Sequence, residues 1–213
     1  MKISYSILTH NETKSLEVLI DFLVTQKEDE DEIVILDDYS DDEETKRILD
    51  TAVSAYDIKF EQRALNGDFA SQKNHLKNMC TGDYIFNLDA DEVPNRWLMS
   101  NLKALLIANP VIDLFWVPRV NTVEGITDEH IKVWHWQLNE KGWVNWPDYQ
   151  GRIWRNRPNI MWKNKVHEVL TGYKEHTYFP AEEQYCFYHP KEISKQEKQN
   201  ELYDAIGKEQ ETK

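Results

Sequence analysis

Glycine and proline are scarce in this 213-residue chain, seven of each, which excludes collagen-like and low-complexity classes. Cysteine is scarcer still. Cys80 and Cys186 make neither a metal-ligand spacing nor a disulfide framework, so the expectation is a reducing, cytoplasmic compartment. No apolar run approaches the roughly 20 residues of a membrane span, and Ile3 to Leu8 is too short for a secretory signal. An integral membrane segment is therefore not expected. Basic residues are in deficit too: 25 Lys and Arg against 38 Asp and Glu leave a net charge of −13 and a pI near 5.0. Such a surface repels phosphate backbones and anionic lipid, so nucleic acid is not a partner. What the chain does have is 12% aromatic residues, eight of them Trp, too many for a disordered polymer. At about 150 residues per domain the length predicts a single domain, 1–213.

Through the first half, apolar runs alternate with helical patterns, the signature of βα units on a parallel sheet. Ile3 to Leu8, Ile33 to Leu36, Ile58 to Phe60 and Tyr84 to Leu88 read as strands; Thr13 to Thr25, Asp41 to Ala55 and Asp68 to Met79 read as helices. The second half changes character at about residue 93. A helix over Asn95 to Ala108 and a strand over Asp113 to Val120 precede an irregular stretch, Thr122 to Trp146. Short strands follow at Arg152 to Arg155, Ile160 to Val169 and Tyr185 to Tyr188, then a closing helix over Ser194 to Ile206. The expected architecture is an α/β fold with a mostly parallel sheet, helices on both faces, and a smaller mixed β region.

Two strands end in acids, and ligands of open α/β sheets bind at the carboxyl ends of strands. Asp89-Ala90-Asp91 follows the fourth strand; in extended chain both carboxylates face one side, as hard oxygen ligands for Mg²⁺ or Mn²⁺. Asp37-Asp38-Tyr39-Ser40-Asp41 follows the second, where an acid can accept from a nucleobase N–H or a ribose hydroxyl. An EF-hand reading of that segment fails for want of the sixth-position Gly and twelfth-position Glu. Thr9 and Asn11 end the first strand and can contact the base. Trp97, Trp116 and Trp162 sit at apolar-periodic positions and are expected in the core. Trp134, Trp136, Trp143 and Trp146 are not periodic; an acceptor lid, in which indole faces stack on sugar rings, competes there with an oligomer contact.

Taken in order, Ile-Leu-Thr-His-Asn-Glu at 7–12, Ile-Val-Ile-Leu-Asp-Asp-Tyr-Ser-Asp at 33–41, Phe-Ala-Ser-Gln-Lys-Asn at 69–74 and Gly-Asp-Tyr-Ile-Phe-Asn-Leu-Asp-Ala-Asp-Glu at 82–92 resemble family 2 glycosyltransferases of GT-A fold. Arg152-Ile153-Trp154-Arg155, Val166-His167-Glu168 and Tyr188-His189-Pro190 resemble the tail of the subgroup related to lipopolysaccharide-core and peptide S-glycosyltransferases. The resemblance implies a metal-dependent inverting transferase that moves a sugar from a nucleotide diphosphate sugar, UDP-sugar favoured, to a glycan or protein acceptor. Residues 1–92 would form the nucleotide-sugar half and 93–213 the acceptor side. Asp38 would hold the base, Asp89 would lie near ribose and metal, Asp91 would ligate the metal, and Lys73 would meet the diphosphate where relatives carry Arg. His189 is a further candidate ligand, with His167 competing; imidazole beside carboxylate favours Mn²⁺ over Mg²⁺. The general base falls to Glu168 or, second, to Asp148, and acceptor contacts to Trp143 and Trp146.

Three rival functions meet obstacles. A haloacid-dehalogenase-type phosphatase fits Asp89-Ala90-Asp91-Glu92-Val93, but its further acidic pair should lie downstream, and here it lies upstream. A sugar nucleotidyltransferase should open with a Gly-rich phosphate loop, which Leu8-Thr9-His10-Asn11 lacks. A carbohydrate-binding module would use the Trp cluster and leave both acid clusters idle.

Overall fold

Four parallel strands, β1 (Ile3–Thr9), β2 (Glu32–Asp37), β3 (Ile58–Gln62) and β4 (Tyr84–Asp89), form the first half of the sheet in a computed structural model that describes residues 1–194, 196 and 197. Their side chains alternate between two cores, because successive residues of a strand point to opposite faces. Ile33 and Ile35 enter the core shared with α1 (Lys14–Gln26), α2 (Glu43–Ala55) and α4 (Arg96–Ala108). Val34 and Leu36 enter the other, shared with α3 (Phe69–Met79). Burial on both faces explains the uninterrupted apolar reading of these strands.

The chain builds β1, β2 and β3 outward in one direction, then returns to lay β4 on the other side of β1. That reversal is a topological switch point, and it opens a crevice beyond the carboxyl ends of β1 and β4. Antiparallel β7 (Val144–Arg155) pairs with β4 and continues the sheet to β6 (Leu114–Glu124), β11 (Phe187–Glu192) and β5 (Val93–Pro94). One sheet therefore runs through both halves of the chain. β10 (His176–Tyr178) adds to β6, and β8 (Met161–Lys163) with β9 (Val169–Thr171) forms a separate hairpin against α3.

Several expectations for the second half change. The strand at 152–155 is the tail of the twelve-residue β7, and the run at 160–169 breaks into β8, a loop and the start of β9. The irregular stretch contains a short helix, α5 (Asp128–Val133). Trp97, expected in the core, is 38% exposed and meets Tyr185 edge-on. The closing helix falls for the most part outside the described residues.

At the amino ends of the strands, opposite the crevice, Glu32 gathers the sheet. Its carboxylate accepts from Lys2, Lys59, Ser4 Oγ and the Thr81 backbone. Burial pushes this carboxyl up, but these partners outweigh it and hold the group well below its usual 4.5. A depressed folded-state value stabilises above the unfolded value and loses that contribution as the pH falls. Melting temperature should therefore fall progressively as pH is lowered below about 4.5, and Glu32→Gln, already lower at pH 7, should flatten that part of the curve. Parallel pH profiles in wild type and variant would remove Glu32 from this role.

Candidate active site

The crevice is a cavity of about 1060 Å³. At its β1 wall, Thr9 is buried with an unpartnered hydroxyl, an orphan that a ligand group could satisfy. Asn11, at positive φ, turns away: its amide oxygen accepts from the Asp41 and Asp42 backbones and its amide nitrogen donates to Asp41. It staples the β1 turn to the start of α2 and does not line the cavity.

The acid pair after β2 divides its labour. Asp37 is fully buried and accepts from Ser40 and Gln62, a structural knot. Asp38 lines the cavity, accepting from the Leu65 backbone at 2.7 Å with one carboxylate oxygen.

Asp89 to Glu92 is a tight turn, closed by Glu92 N donating to Asp89 O and by Asp89 N donating to Glu92 Oε2. The extended alignment of Asp89 with Asp91 is thereby broken, and the two carboxylates take different partners. Asp89 meets Arg152 Nη2 at 2.5 Å. The surrounding protein alone would raise its pKa, but Arg152 and then Lys73 outweigh that and hold it far below the carboxylate range. Arg152 also pairs with the fully buried Glu92 at 2.6 Å, and Glu92 in turn faces Arg119 at 3.3 Å. Arg152 Nε remains buried without a partner on the cavity wall.

Asp91 faces His189 instead, 3.5 Å from its Nε2. Register places His189 on β11 opposite Asn121 on β6, and His189 Nδ1 lies 2.8 Å from Asn121 Oδ1. Asn121 donates its amide to Asp148, which orients its oxygen toward the imidazole. An oxygen can only accept, so Nδ1 carries a proton, and Nε2 is the ring nitrogen turned toward Asp91. The carboxylate and the imidazole are two candidate metal ligands brought together on the cavity wall. Their separation suits two ligands of one ion at about 2.1 Å each. Among the described residues no group of three His, Cys, Asp or Glu could hold a metal, so an ion held by Asp91 and His189 would need water and substrate oxygens for its remaining positions.

The two base candidates differ in their surroundings. Asp148 accepts from Arg119, Asn121 and Gln150. Burial pushes its carboxyl up, but Arg119, Asn121 and Gln150 bring it below its usual value. Glu168 sits in the loop between β8 and β9 and pairs with Lys73, whose ammonium also lies 4.6 Å over the Trp162 ring.

Trp143 is buried, in a small apolar cluster with Val120 and Cys186 against which Trp146 packs. Neither indole lines the cavity, whereas Trp136 and Trp116 do. The apolar body of Trp143 finds more burial under β6 than a lid would give it. Arg119, Asn121 and Arg152 escaped the reading of the sequence. Arg152 stood inside a recognised motif, and the signal available was charge: acids gathered at strand ends in a dry crevice require cations nearby.

A switch-point crevice walled by strand-end acids defines an α/β enzyme of the GT-A type. The chain belongs to the family described as glycosyl transferase family 2, whose profile matches residues 4–173. Crystal structures of S. aureus TarS share the fold. The 1–349 fragment with UDP-GlcNAc superposes with a TM-score of 0.65 at 16% identity, over 89% of this chain and 58% of that one. The same fragment with UDP gives 0.60 at 15% identity, over 89% and 60%. For TarS itself the values are 0.62 and 16%, over 89% and 37%. The chain thus spans about three-fifths of the TarS fragment's length. No curated protein matches it. Among the described residues no helix is long and apolar enough to cross a membrane.

Proposed function

We propose that the chain catalyses inverting transfer of a sugar from a nucleotide diphosphate sugar, preferentially a UDP-sugar, to a glycan or protein acceptor, assisted by Mn²⁺ or Mg²⁺. The observation that carries the reading is the meeting of Asp38, Asp91, His189, Lys73 and Glu168 in one cavity at the switch point. UDP and UDP-GlcNAc in the TarS structures support the choice of uridine. Residues 1–92 would supply most of the nucleotide side, joined there by Arg152 and His189 from the second half, which otherwise would form the acceptor side.

In this reading Asp38 accepts from the base or ribose, Thr9 Oγ1 and Arg152 Nε donate to the donor, and Lys73 meets the diphosphate. The acceptor hydroxyl oxygen attacks the anomeric carbon while Glu168 takes its proton. The bond from that carbon to the diphosphate oxygen breaks, and its electron pair leaves with the nucleotide. Asp91 and His189 would hold a divalent cation, which would supply charge neutralisation for that leaving group. Asp89, already paired with Arg152, fixes the guanidinium and does not ligate.

Thermal shift with UDP and GDP, with and without Mn²⁺, tests the reading. Ligand near 100 Kd adds about 2.7 kcal/mol of stability, an unmistakable rise in Tm. Silence toward every nucleotide alongside glycan binding would favour the carbohydrate-binding module.

Asp38→Asn keeps an oxygen for the Leu65 amide and removes the charge, so UDP binding should weaken about tenfold with Tm little changed. An unaltered Kd by isothermal titration would take Asp38 out of the site. Trp136→Ala should raise the acceptor KM more than it affects donor hydrolysis, since stacking acts after donor binding. Trp143→Ala should instead lower stability by about 3 kcal/mol through the cavity it leaves. The reverse pattern would return the acceptor contact to Trp143.

A further inference from the structure

Lys73 and Glu168 both line the cavity, one from α3 and the other from the β8–β9 loop. Their side chains are only 9% and 18% exposed. Among the described residues Lys73 is the hydrogen-bonding partner of Glu168. The stem of the hairpin is fixed to α3: the Asn74 amide donates to Trp162 O and accepts from Trp162 N, both at 2.9 Å, and Phe69 N donates to Lys165 O. Beyond it, Asn164 and His167 both adopt positive φ, the left-handed turns that place Glu168 back toward α3.

We propose that Lys73 and Glu168 form a donor-sensing latch, in which the incoming diphosphate takes Lys73 from Glu168 and thereby frees the carboxylate to receive the acceptor proton. The inference rests on the transferase reading above and adds an order to it. One ammonium cannot serve a carboxylate and a diphosphate equally, and the diphosphate, with more charge and more oxygens, is the stronger claimant. Before donor binds, the carboxylate is neutralised by the ammonium, which lowers its pull on an acceptor proton. After donor binds, the pair is exchanged and that pull is restored. Donor must therefore bind before a productive acceptor.

Competition has a thermodynamic signature that a permanent salt bridge lacks. Isothermal titration of UDP with Mn²⁺ into wild type, Glu168→Gln, Lys73→Gln and the double variant reads it directly. Removing the competing carboxylate should tighten UDP about three- to tenfold, while Lys73→Gln should weaken it. In the Lys73→Gln background the second change should bring no gain, because nothing remains to be released. An unchanged or weaker Kd in Glu168→Gln overturns the latch. So does a gain that survives in the double variant, which assigns the effect to the general field of the cleft. Glu168→Asp, which withdraws the carboxylate from Lys73 while keeping its charge, should tighten UDP by a smaller factor and provides a second fold-preserving test. A wild type that binds no nucleotide fails the transferase reading and the latch together; binding without coupling fails the latch alone.

Discussion

Asp91→Asn should lower sugar transfer by about 10² or more while leaving the melting temperature close to that of the wild type. The residue stands in a turn closed by Asp89 and Glu92, and an isosteric amide keeps that turn. What changes is the charge presented to His189 Nε2, 3.5 Å away. A carboxylate and an imidazole nitrogen make a hard and borderline donor pair for a divalent ion; an amide oxygen is a weaker ligand and neutralises nothing. The nucleotide then leaves with its developing charge less compensated. Transfer measured against Mn²⁺ concentration should show both a lower plateau and a midpoint displaced to higher metal. A variant with normal rate and the wild-type midpoint would sink the assignment of Asp91 and His189 to a metal, and most of the proposed mechanism with it.

Glu168→Gln should be as damaging to transfer, at least on the order of 10², by a different route. The amide preserves size and hydrogen bonding but has no useful proton affinity, so the acceptor hydroxyl loses its base. Donor affinity should rise, as the latch requires, leaving a variant that binds and does not transfer. Asp148 is the control. Arg119, Asn121 and Gln150 occupy its oxygens and hold it in the ionised state, which makes it a poor proton acceptor. Its replacement by Asn should act indirectly, by releasing the Asn121 amide that orients His189. Wild-type turnover in Glu168→Gln, with Asp148→Asn inactive, would reverse the two roles.

The parallel half of the fold was legible because buried strands flanked by helices leave strong marks: Ile33 to Leu36 is continuous apolar sequence, and Asp42 and Asp68 cap the helices that follow. The acidic strand ends were legible for the same reason, as charge placed directly after a buried run. β7 was hidden. Its buried residues are Val144 at the start and Arg152, Ile153 and Trp154 near the end, and the part from Asn145 to Gln150 runs along the cleft with mixed polarity, so no alternation announces it. The hairpin of β8 and β9 was hidden by its positive-φ turns at Asn164 and His167, where no glycine gives warning. Trp143 defeated the reading from composition, since an indole in a polar, non-periodic stretch can still be buried by a neighbouring strand. The arginine network could not be inferred at all from local sequence. Arg119 and Arg152 meet Glu92 only because β6, β7 and the turn after β4 are brought side by side by the sheet.

The segment between β6 and β7 leaves the sheet and returns almost to its starting point, for Asn121 and Val144 are register partners. A loop whose ends are already clamped together adds little further closure entropy when its length changes, because that term grows only logarithmically. Residues 125–142 can therefore vary in length at small closure cost, while Trp143 at their end stays pinned beside Val120 and Cys186. Trp136 reaches the cavity from within this segment and adds a wall that the strand ends do not supply. A change of length ahead of Trp143 reshapes that wall and leaves the strand ends where the sheet holds them.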